Sequence, residues 1–387
     1  MPLLTTTGQV LPLDTQDAQA LRRLRPDAVL TFSERQVRRT AALAEDLGLP
    51  GHTRRNAELV TDKYQQRREL NGAGVDATRT ALIQTPDDWI AAHADVGLPA
   101  VLKPTVGEGS RDTFLIDEPK TGATLVRRAL TRDGVPRVLE QYLTGRDSDG
   151  YGSFVSVESA IAHGDAIHLA ITGKFTQLPP FRERGNIWPA RLTEDEAQRV
   201  LDLAGRAIRA LGLCTGLTHT EVKLTPDGPR VIEVNGRLGG HLNDLAITSA
   251  GINLIELAGR VALGESVHVP LIRPDTVHFH YVSPSLTRRC RFVRARGTSI
   301  VRQAPGITGY RLLIPPGTEL EESVMTRPVD IIQGVADDHT TMLNVIDAAM
   351  ADLTHVYVVD GETQFVPAIS PSTATVAALG DRAGRQW

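Results

Sequence analysis

The amino-acid sequence predicts a mixed α/β (α+β) fold. Residues 27–32 form an apolar segment typical of a buried strand, and a helical pattern over residues 34–47 follows it and ends at Gly48. A strongly helical stretch over residues 193–211 lies among further strand-like segments. With 387 residues, the chain is long enough for two or three domains and a substantial core.

The other predicted elements also alternate between strands and helices. Strands are expected at 100–103, 137–143, 154–161, 167–172 and 356–359. Helices are expected at about 62–70 and at about 339–353. A further helix is expected to begin between residues 244 and 253 and to end at residue 263. Thr61 or Asp62 is the expected cap of the 62–70 helix, and Asn71-Gly72 is its expected stop. Prolines after residue 269 mark a change of composition, which indicates a separate C-terminal region.

Composition and charge limit the classes of partner. Lys and Arg number 42 against 46 Asp and Glu, the formal net charge is −4, and aromatic residues make up only 4%. These values disfavour nucleic acid and anionic membranes as partners. Cys214 and Cys290 lie far apart, without the spacing of a disulfide framework or a thiolate zinc site. We find no secretory signal and no apolar run of membrane-spanning length, so we expect a cytoplasmic protein.

Residues 219–224 and 231–237 are predicted to form a β-hairpin around the turn-rich stretch 225–229. Pairing residue 224 with residue 230 places Glu221 directly opposite Glu233. Like charges in this position have Cβ atoms about 4.5–5.5 Å apart and repel each other, so two ionised carboxylates there need a cation or neighbouring basic side chains. Hard oxygen ligands suit Mg²⁺, and the hairpin therefore predicts a magnesium site.

Side-chain alternation divides the hairpin into two faces. The polar face is expected to hold His219, Glu221, Lys223, Glu233, Asn235 and Arg237, and the other face Thr220, Val222, Ile232 and Val234. The alternative is an exposed hairpin whose glutamates only pair with Lys223 and Arg237. The adjacent Gly239 and Gly240 favour a site, because glycines allow a ligand to approach the backbone closely.

A second polar segment lies after the predicted strand at 100–103. Lys103 ends this strand, and a loop with Gly107, Gly109 and Ser110 follows it. Backbone N–H groups in such a loop can face phosphate oxygens, and the lysine can supply a point charge, although the loop taken alone is better explained as a glycine-rich β-hairpin turn. The P-loop and Rossmann fingerprints are absent from the chain, so a nucleotide site would need another fold.

Taken in order, these motifs resemble the ATP-grasp superfamily and its carboxylate–amine ligases. The motifs are Asp62-Lys63, Lys103 with its glycine loop, residues 140–143, and the set Glu221, Glu233 and Asn235. The resemblance covers about residues 27–264. Biotin carboxylase and D-alanine:D-alanine ligase share this layout. The stretches 172–174 and 233–240 are similar to those of L-amino acid ligases that make dipeptides and peptide-like products.

The resemblance implies roles for the nucleotide side of the site. Lys63 and Lys103 would contact ATP phosphates, and the loop with Gly107, Gly109 and Ser110 would close over them. The segment with Glu140, Gln141 and Leu143 would contact adenine through its backbone, and Asp147 would bind the ribose hydroxyls in place of the usual glutamate. Glu221, Glu233 and Asn235 would hold Mg²⁺, as two ions that bridge the phosphates, and Mn²⁺ would be a substitute.

The resemblance also implies a substrate side. Arg237 would face the reacting carboxyl group, its alternative being a surface ion pair with Glu233. Lys174 would bind a substrate carboxylate unless it faces solvent. Gly239, Gly240 and His241 would line the substrate pocket, and His241 could assist amine deprotonation or be purely structural. We predict Arg237, Lys103 and His241 as the catalytic residues.

The expected domain organisation follows the same resemblance. We expect a shortened N-terminal pre-ATP-grasp α/β domain at 1–90, a mobile lid subdomain at 91–165, a core subdomain with the magnesium site at 166–268, and a mixed, β-rich C-terminal domain at 269–387. By comparison with the family pattern, we expect the usual first strand and helix to be short or missing ahead of Asp27. This leaves open that the native chain begins further upstream.

The function implied is an ATP-dependent, ADP-forming ligase. It would join a small-molecule carboxylate to an amine through an acyl phosphate, because a carboxylate is a poor electrophile until its oxygen becomes a leaving group. Two other classes stay open at this point: an ATP-grasp carboxylase or purine-pathway ligase, and a non-catalytic ATP-binding protein. The resemblance also leaves a homodimer open.

Overall fold

The computed structural model describes residues 18–373. This part of the chain contains helices and three antiparallel sheets of four, eight and four strands. The mixed α/β fold predicted from the sequence is confirmed.

The N-terminal part of the described chain is helical. Its helices are α1 (Ala18–Leu24), α2 (Val37–Leu47), α3 (Arg54–Thr61) and α4 (Lys63–Gly72), with a 3₁₀ turn at Glu34–Gln36. The strand predicted at residues 27–32 is wrong, because no strand among the described residues pairs with this segment. An extended segment without a neighbour cannot satisfy its backbone groups in a ladder, so an apolar pattern alone does not make a strand.

The predicted start of α4 is confirmed by its cap. Asp62 lies at the N-cap position, and its Oδ1 accepts hydrogen bonds from the backbone N–H groups of Tyr64 and Gln65, both at 3.0 Å. This cap satisfies two backbone donors that have no partner within the helix. It also fixes Lys63 at the first position of the helix, where its side chain enters the site described below.

The four-stranded sheet has the order β1-β4-β2-β3. Its strands are β1 (Thr80–Ile83), β2 (Ala100–Pro104), β3 (Phe114–Ile116) and β4 (Arg137–Gln141), and its helices are α5 (Asp88–Val96) and α6 (Pro119–Asp133). Trp89, Val126 and Leu102 are buried between helices and sheet. Because β2 and β4 are neighbours, this sheet brings Lys103 and Glu140 together.

The eight-stranded sheet has the order β12-β14-β10-β7-β6-β5-β8-β9. Its first strands are β5 (Tyr151–Ala162), β6 (Asp165–Phe175), β7 (Gly185–Trp188), β8 (Gly216–Thr225) and β9 (Gly228–Asn235), and its helices are α7 (Glu194–Ala210), α8 (Leu242–Ala250) and α9 (Leu254–Ala262). The apolar side of α7 packs on this sheet, with Val200 and Ala204 beside Val157 and Val222. Within residues 18–373 no single helix is long and apolar enough to span a bilayer; α8 and α9 pass that test only as a pair, bent by 110°.

The C-terminal strands divide between two sheets. They are β10 (Val277–Pro284), β11 (Cys290–Arg296), β12 (Ile307–Leu312), β13 (Glu319–Leu320), β14 (Pro328–Ala336), β15 (Thr354–Val359) and β16 (Glu362–Pro367), with helices α10 (Thr298–Gln303) and α11 (His339–Met350). Strands β10, β12 and β14 extend the eight-stranded sheet, and the others form the third sheet in the order β13-β11-β15-β16. The large sheet therefore contains strands from both sides of residue 269.

Candidate active site

A cavity of about 330 Å³ lies between the four-stranded and the eight-stranded sheet. Most of the residues that the sequence singled out line it: Lys63, Lys103, Gly107, Gly109, Ser110, Glu140, Gln141, Leu143, Lys174, Glu221, Glu233, Arg237, Gly240 and His241. Segments more than a hundred residues apart in sequence thus converge on one space. Asp147, Asn235 and Gly239 do not line it.

The β8–β9 hairpin places Glu221 directly opposite Glu233, as predicted. The predicted pairing of residue 224 with residue 230 is wrong, because Leu224 pairs with Pro229 and Lys223 with Arg230. A register shift next to Glu221 reconciles the two observations. Such a bulge inserts one extra residue on one strand.

The same bulge changes the face of one side chain. Ile232, expected on the core side, lines the cavity, and Val231 is buried in the core instead. One inserted residue reverses which side chains face the cavity on one side of the bulge. Strict alternation therefore predicts the wrong face for Ile232, although it predicts the correct face for Glu233.

Glu233 lies at the centre of the charged groups. Lys63 Nζ donates to its Oε2 at 2.6 Å, and Asn235 Nδ2 donates to its Oε1 at 3.3 Å. Burial opposes ionisation, but the charges of Lys63 and Lys103 hold the pKa of Glu233 well below its ordinary value. Glu233 is therefore a carboxylate at neutral pH.

Glu221, Glu233 and Asn235 fit a hard divalent cation in their donor chemistry. They offer two facing carboxylates and one amide, and Mg²⁺ characteristically takes its remaining ligands from water and phosphate. Within residues 18–373 no group of three or more His, Cys, Asp or Glu side chains is placed to hold a metal.

A buried ion cluster joins the two sheets below the cavity. Lys103 Nζ lies 2.8 Å from Glu140 Oε2, and Arg67 Nε donates to Glu140 Oε1 at 3.1 Å. Burial alone would raise the pKa of Glu140, but Arg67 and Lys103 lower it to about 2. The side chain of Glu140 thus positions Lys103.

His219 links Glu221 to a second buried carboxylate. Its Nδ1 lies 2.8 Å from Glu158 Oε1, and its Nε2 lies 3.5 Å from Glu221 Oε1. Burial opposes the charged imidazolium, but Glu158 raises the pKa of His219 to about 9. A charged His219, two residues earlier on the same strand, holds Glu221 in place.

The glycine-rich loop is fixed by the C-terminal part of the chain. Gly109 has φ 63°, its carbonyl oxygen accepts from the Thr326 N–H at 2.8 Å, and the Asp112 N–H donates to the Val324 carbonyl at 2.8 Å. On its other side, Arg35 Nε donates to Glu108 Oε1 at 2.9 Å. The loop therefore lies over the cavity in this structure.

On the substrate side, Arg237 pairs with a residue that the sequence did not indicate. Its Nε lies 2.8 Å from Glu34 Oε2, not beside Glu233. Glu34 is buried, and this burial raises its pKa despite the charge of Arg237. The 3₁₀ turn that carries Glu34 thus holds Arg237, which lines the cavity, from outside it.

Lys174 is buried and does not face solvent. Its Nζ donates to Asn186 Oδ1 at 2.8 Å and lies 3.5 Å from Glu183 Oε2. Asn186 also lines the cavity, as does Glu183. His241 is exposed at the cavity edge with φ 62°, immediately before α8. These groups offer a lysine, a carboxylate and an amide to a zwitterionic ligand.

Asp147 lies in an exposed loop outside the cavity. Its Oδ1 accepts from the Asp149 N–H at 3.1 Å, and its role at the ribose stays a prediction. Gly239 lies beneath the site, where neighbouring side chains leave no room for a Cβ atom.

Replacing Gly239 by alanine is expected to destabilise the protein by about 1–3 kcal/mol, because its Cβ would lie 2.5 Å from both His219 Nδ1 and Leu242 Cδ1. The matched control is Gly240→Ala, since no heavy atom lies within 4 Å of a Cβ there. Urea unfolding of the two variants measures the difference. Equal stabilities would contradict this packing role of Gly239.

Sequence reasoning missed Glu34, Arg67 and Glu158. Each is buried and acts through a partner distant in sequence, so no local spacing indicates it. The sequence placed Lys223 on the polar face of the hairpin, which is correct, but gave it no role. Lys223 lines the cavity, and burial lowers its pKa to about 8.

The fold and the site define a mixed α/β protein with a charged cleft between two sheets. Residues 60–241 match the family model described as an ATP-grasp domain. The fold is also similar to the crystal structure of L-amino acid ligase from Bacillus licheniformis, with a TM-score of 0.77, 24% identity, and coverage of 89% of this chain and 85% of that one.

Two curated relatives are ligases or synthases by name. The chain is 32% identical to alanine–anticapsin ligase of Bacillus subtilis (strain 168) over 232 residues, which cover 55% of this chain and 49% of that protein. It is 27% identical to carnosine synthase 1 of Homo sapiens over 268 residues, which cover 63% and 31%. The chain thus spans about half the length of the first relative and about a third of the second.

Proposed function

We propose that the protein is an ATP-dependent, ADP-forming ligase that joins an amino-acid or peptide-like carboxylate to an amine. The observation that supports this best is the convergence on one cavity of two directly opposed carboxylates, Glu221 and Glu233, with Lys63, Lys103 and Arg237. The similarity to alanine–anticapsin ligase and to an L-amino acid ligase points in the same direction.

Glu221, Glu233 and Asn235 would hold Mg²⁺, which when bound supplies positive charge against the phosphates of ATP. Lys63 and Lys103 add two compact cations on the same side of the cavity. Their carboxylate partners hold the two ammonium groups in fixed positions, and this preorganisation suits stabilisation of phosphoryl transfer.

The chemistry needs no side-chain nucleophile. The substrate carboxylate oxygen attacks the γ-phosphorus of ATP, ADP leaves, and the product is an acyl phosphate. The amine then attacks the acyl carbon, phosphate leaves, and the amine loses a proton. We assign Arg237 to the oxygen of the reacting carboxyl group, where it stabilises the charge of the tetrahedral intermediate.

Lys174, Glu183 and Asn186 are the groups that would position the amino-acid substrates. A buried ammonium attracts a substrate carboxylate, and a carboxylate attracts a substrate ammonium. His241, at the exposed edge, would contact the part of the substrate nearest the opening.

A matrix of amino-acid pairs, assayed for ADP and phosphate release with and without Mg²⁺, tests the proposal, with mass spectrometry of the products. We expect Mg²⁺-dependent release of one phosphate per amide bond for at least one pair. Glu233→Gln is the control for the site and should abolish this release. ADP release that requires bicarbonate or a ribosyl amine instead would contradict the proposal, as would nucleotide binding without turnover on any pair.

A further inference from the structure

One residue of the C-terminal region bonds to both sides of the proposed site. Thr326 lies between β13 and β14 and lines the cavity. Its backbone N–H donates to the Gly109 carbonyl at 2.8 Å, and its side-chain Oγ1 accepts from the Glu183 backbone N–H at 2.9 Å. Gly109 belongs to the glycine-rich loop on the nucleotide side, whereas Glu183 belongs to the amino-acid side. Thr326 therefore contacts the two sides through different atoms.

Glu183 lies in a tight loop, residues 178–184, which we call the substrate loop. Leu178 and Arg182 close this loop: the Leu178 N–H donates to the Arg182 carbonyl at 2.9 Å, and the reverse bond is 2.8 Å. Phe181 and Glu183 of this loop line the cavity. Because the loop is closed on itself, its position at the cavity depends on the groups that hold it from outside. The Thr326 hydroxyl is one of these groups.

The segment that carries Thr326 is itself held at both ends. The Ser323 N–H donates to the Thr287 carbonyl at 2.8 Å, and the Arg327 carbonyl accepts from the Ser285 N–H at 2.8 Å. A packed and hydrogen-bonded segment can transmit a shift of one neighbour to the other. The segment 323–327 is therefore suited to link the glycine-rich loop with the substrate loop.

The proposed chemistry requires both sides of the site to be in place together. An acyl phosphate is lost to water unless the site excludes water and holds the amine ready. A link between the two loops would meet this requirement. The hydroxyl of Thr326 makes the link specific, because a backbone N–H such as that of Glu183 needs an acceptor.

We propose that Thr326 couples the glycine-rich loop to the substrate loop, so that nucleotide binding sets the position of Glu183. This inference rests on the proposed function, because it takes the glycine-rich loop as the nucleotide side and residues 178–184 as the amino-acid side. It gives Thr326 a positioning role, since Thr326 acts through Gly109 and Glu183 and not on a reacting atom.

The test is backbone hydrogen exchange of the full-length protein with Mg²⁺, with and without the non-hydrolysable ATP analogue AMP-PNP, read by mass spectrometry. In the wild type, AMP-PNP should slow exchange at residues 107–113 and also at 181–186. In Thr326→Val the slowing should persist at 107–113 and be lost at 181–186, because valine keeps the backbone N–H but offers no acceptor. Thr326→Ser keeps the hydroxyl and should respond as the wild type does.

Thr318→Val is the matched control, because it removes a hydroxyl that bonds the Pro315 carbonyl outside the cavity. It should respond to AMP-PNP as the wild type does. Turnover with a productive amino-acid pair gives a second measurement. Loss of one hydrogen bond in Thr326→Val should raise the KM of the amino-acid substrate about 2- to 10-fold and leave the KM of ATP unchanged.

Slowing of exchange at 181–186 in Thr326→Val equal to that in the wild type would overturn the inference. A wild type in which AMP-PNP slows exchange only at 107–113 would overturn it too, as would an equal rise in the KM of ATP. Linked slowing in the wild type without ligase product on any amino-acid pair would refute the proposed function alone. A wild type that binds no AMP-PNP would refute both.

Discussion

Replacement of Arg237 by glutamine is expected to lower the rate of ADP release with a productive amino-acid pair about 10²- to 10³-fold. Arg237 lines the cavity, and a charge aimed at the reacting carboxyl group acts most strongly in the transition state. The Kd of ADP should change little, because the lysines and carboxylates of the nucleotide side remain. Single-turnover assays and nucleotide titration measure the two quantities separately.

The ion pair with Glu34 requires a control, because removing only Arg237 leaves a buried carboxylate without its partner. The double variant Glu34→Gln, Arg237→Gln removes both charges. If Arg237 served only to neutralise Glu34, the double variant would recover activity. We expect it to regain stability in urea unfolding and to stay inactive.

The order of the motifs along the chain was predictable, and so was the meeting of Glu221 with Glu233. Local chemistry determines these features: the turn residues at 225–229, the alternation of β8, and the Asp62 cap of α4 each lie within a few residues. Helix α7 likewise follows from its periodicity and its Thr193 capping box.

What could not be predicted depends on tertiary partners. The segment 27–32 has the composition of a strand but no neighbouring strand among the described residues. Glu34 looks like an ordinary helix-start acid until the fold places Arg237 against it. No glycine lies at the bulge in β9, so the local sequence does not indicate the bulge. The sequence correctly predicted that Glu221 lies opposite Glu233, but it did so from a pairing that is wrong by one residue at the turn end of the hairpin.

Arg67 explains where that bulge lies. Its side chain is only 2% exposed, and its guanidinium donates to the carbonyl oxygens of Val231 at 2.8 Å and Ile232 at 2.7 Å. These are the residues of β9 at the register shift. A bulge leaves backbone groups outside the ladder, and a buried carbonyl needs a donor. Arg67 therefore stabilises the strand geometry that turns Glu233 toward Glu221.

The same guanidinium also pairs with Asp76 and Glu140, and the latter holds Lys103. Arg67→Met is expected to lower the free energy of unfolding by about 3–5 kcal/mol, because it leaves two buried carboxylates without one of their cations and two carbonyls without a donor. Arg67→Lys should restore little of this stability, because a single ammonium cannot contact the two carbonyls and the two carboxylates at once as the forked guanidinium does. Urea unfolding measures both variants.

A matched control for Arg67 is Arg55→Met, one helix earlier, whose side chain is 76% exposed and pairs with Glu69 only at 3.7 Å. An exposed pair of this kind contributes about 0–1 kcal/mol, so this variant should unfold close to the wild type. If Arg67→Met were as stable as Arg55→Met, the bulge would not depend on Arg67. If it were destabilised and any folded fraction lost Mg²⁺-dependent ADP binding, Arg67 would connect the register of β9 to the nucleotide site.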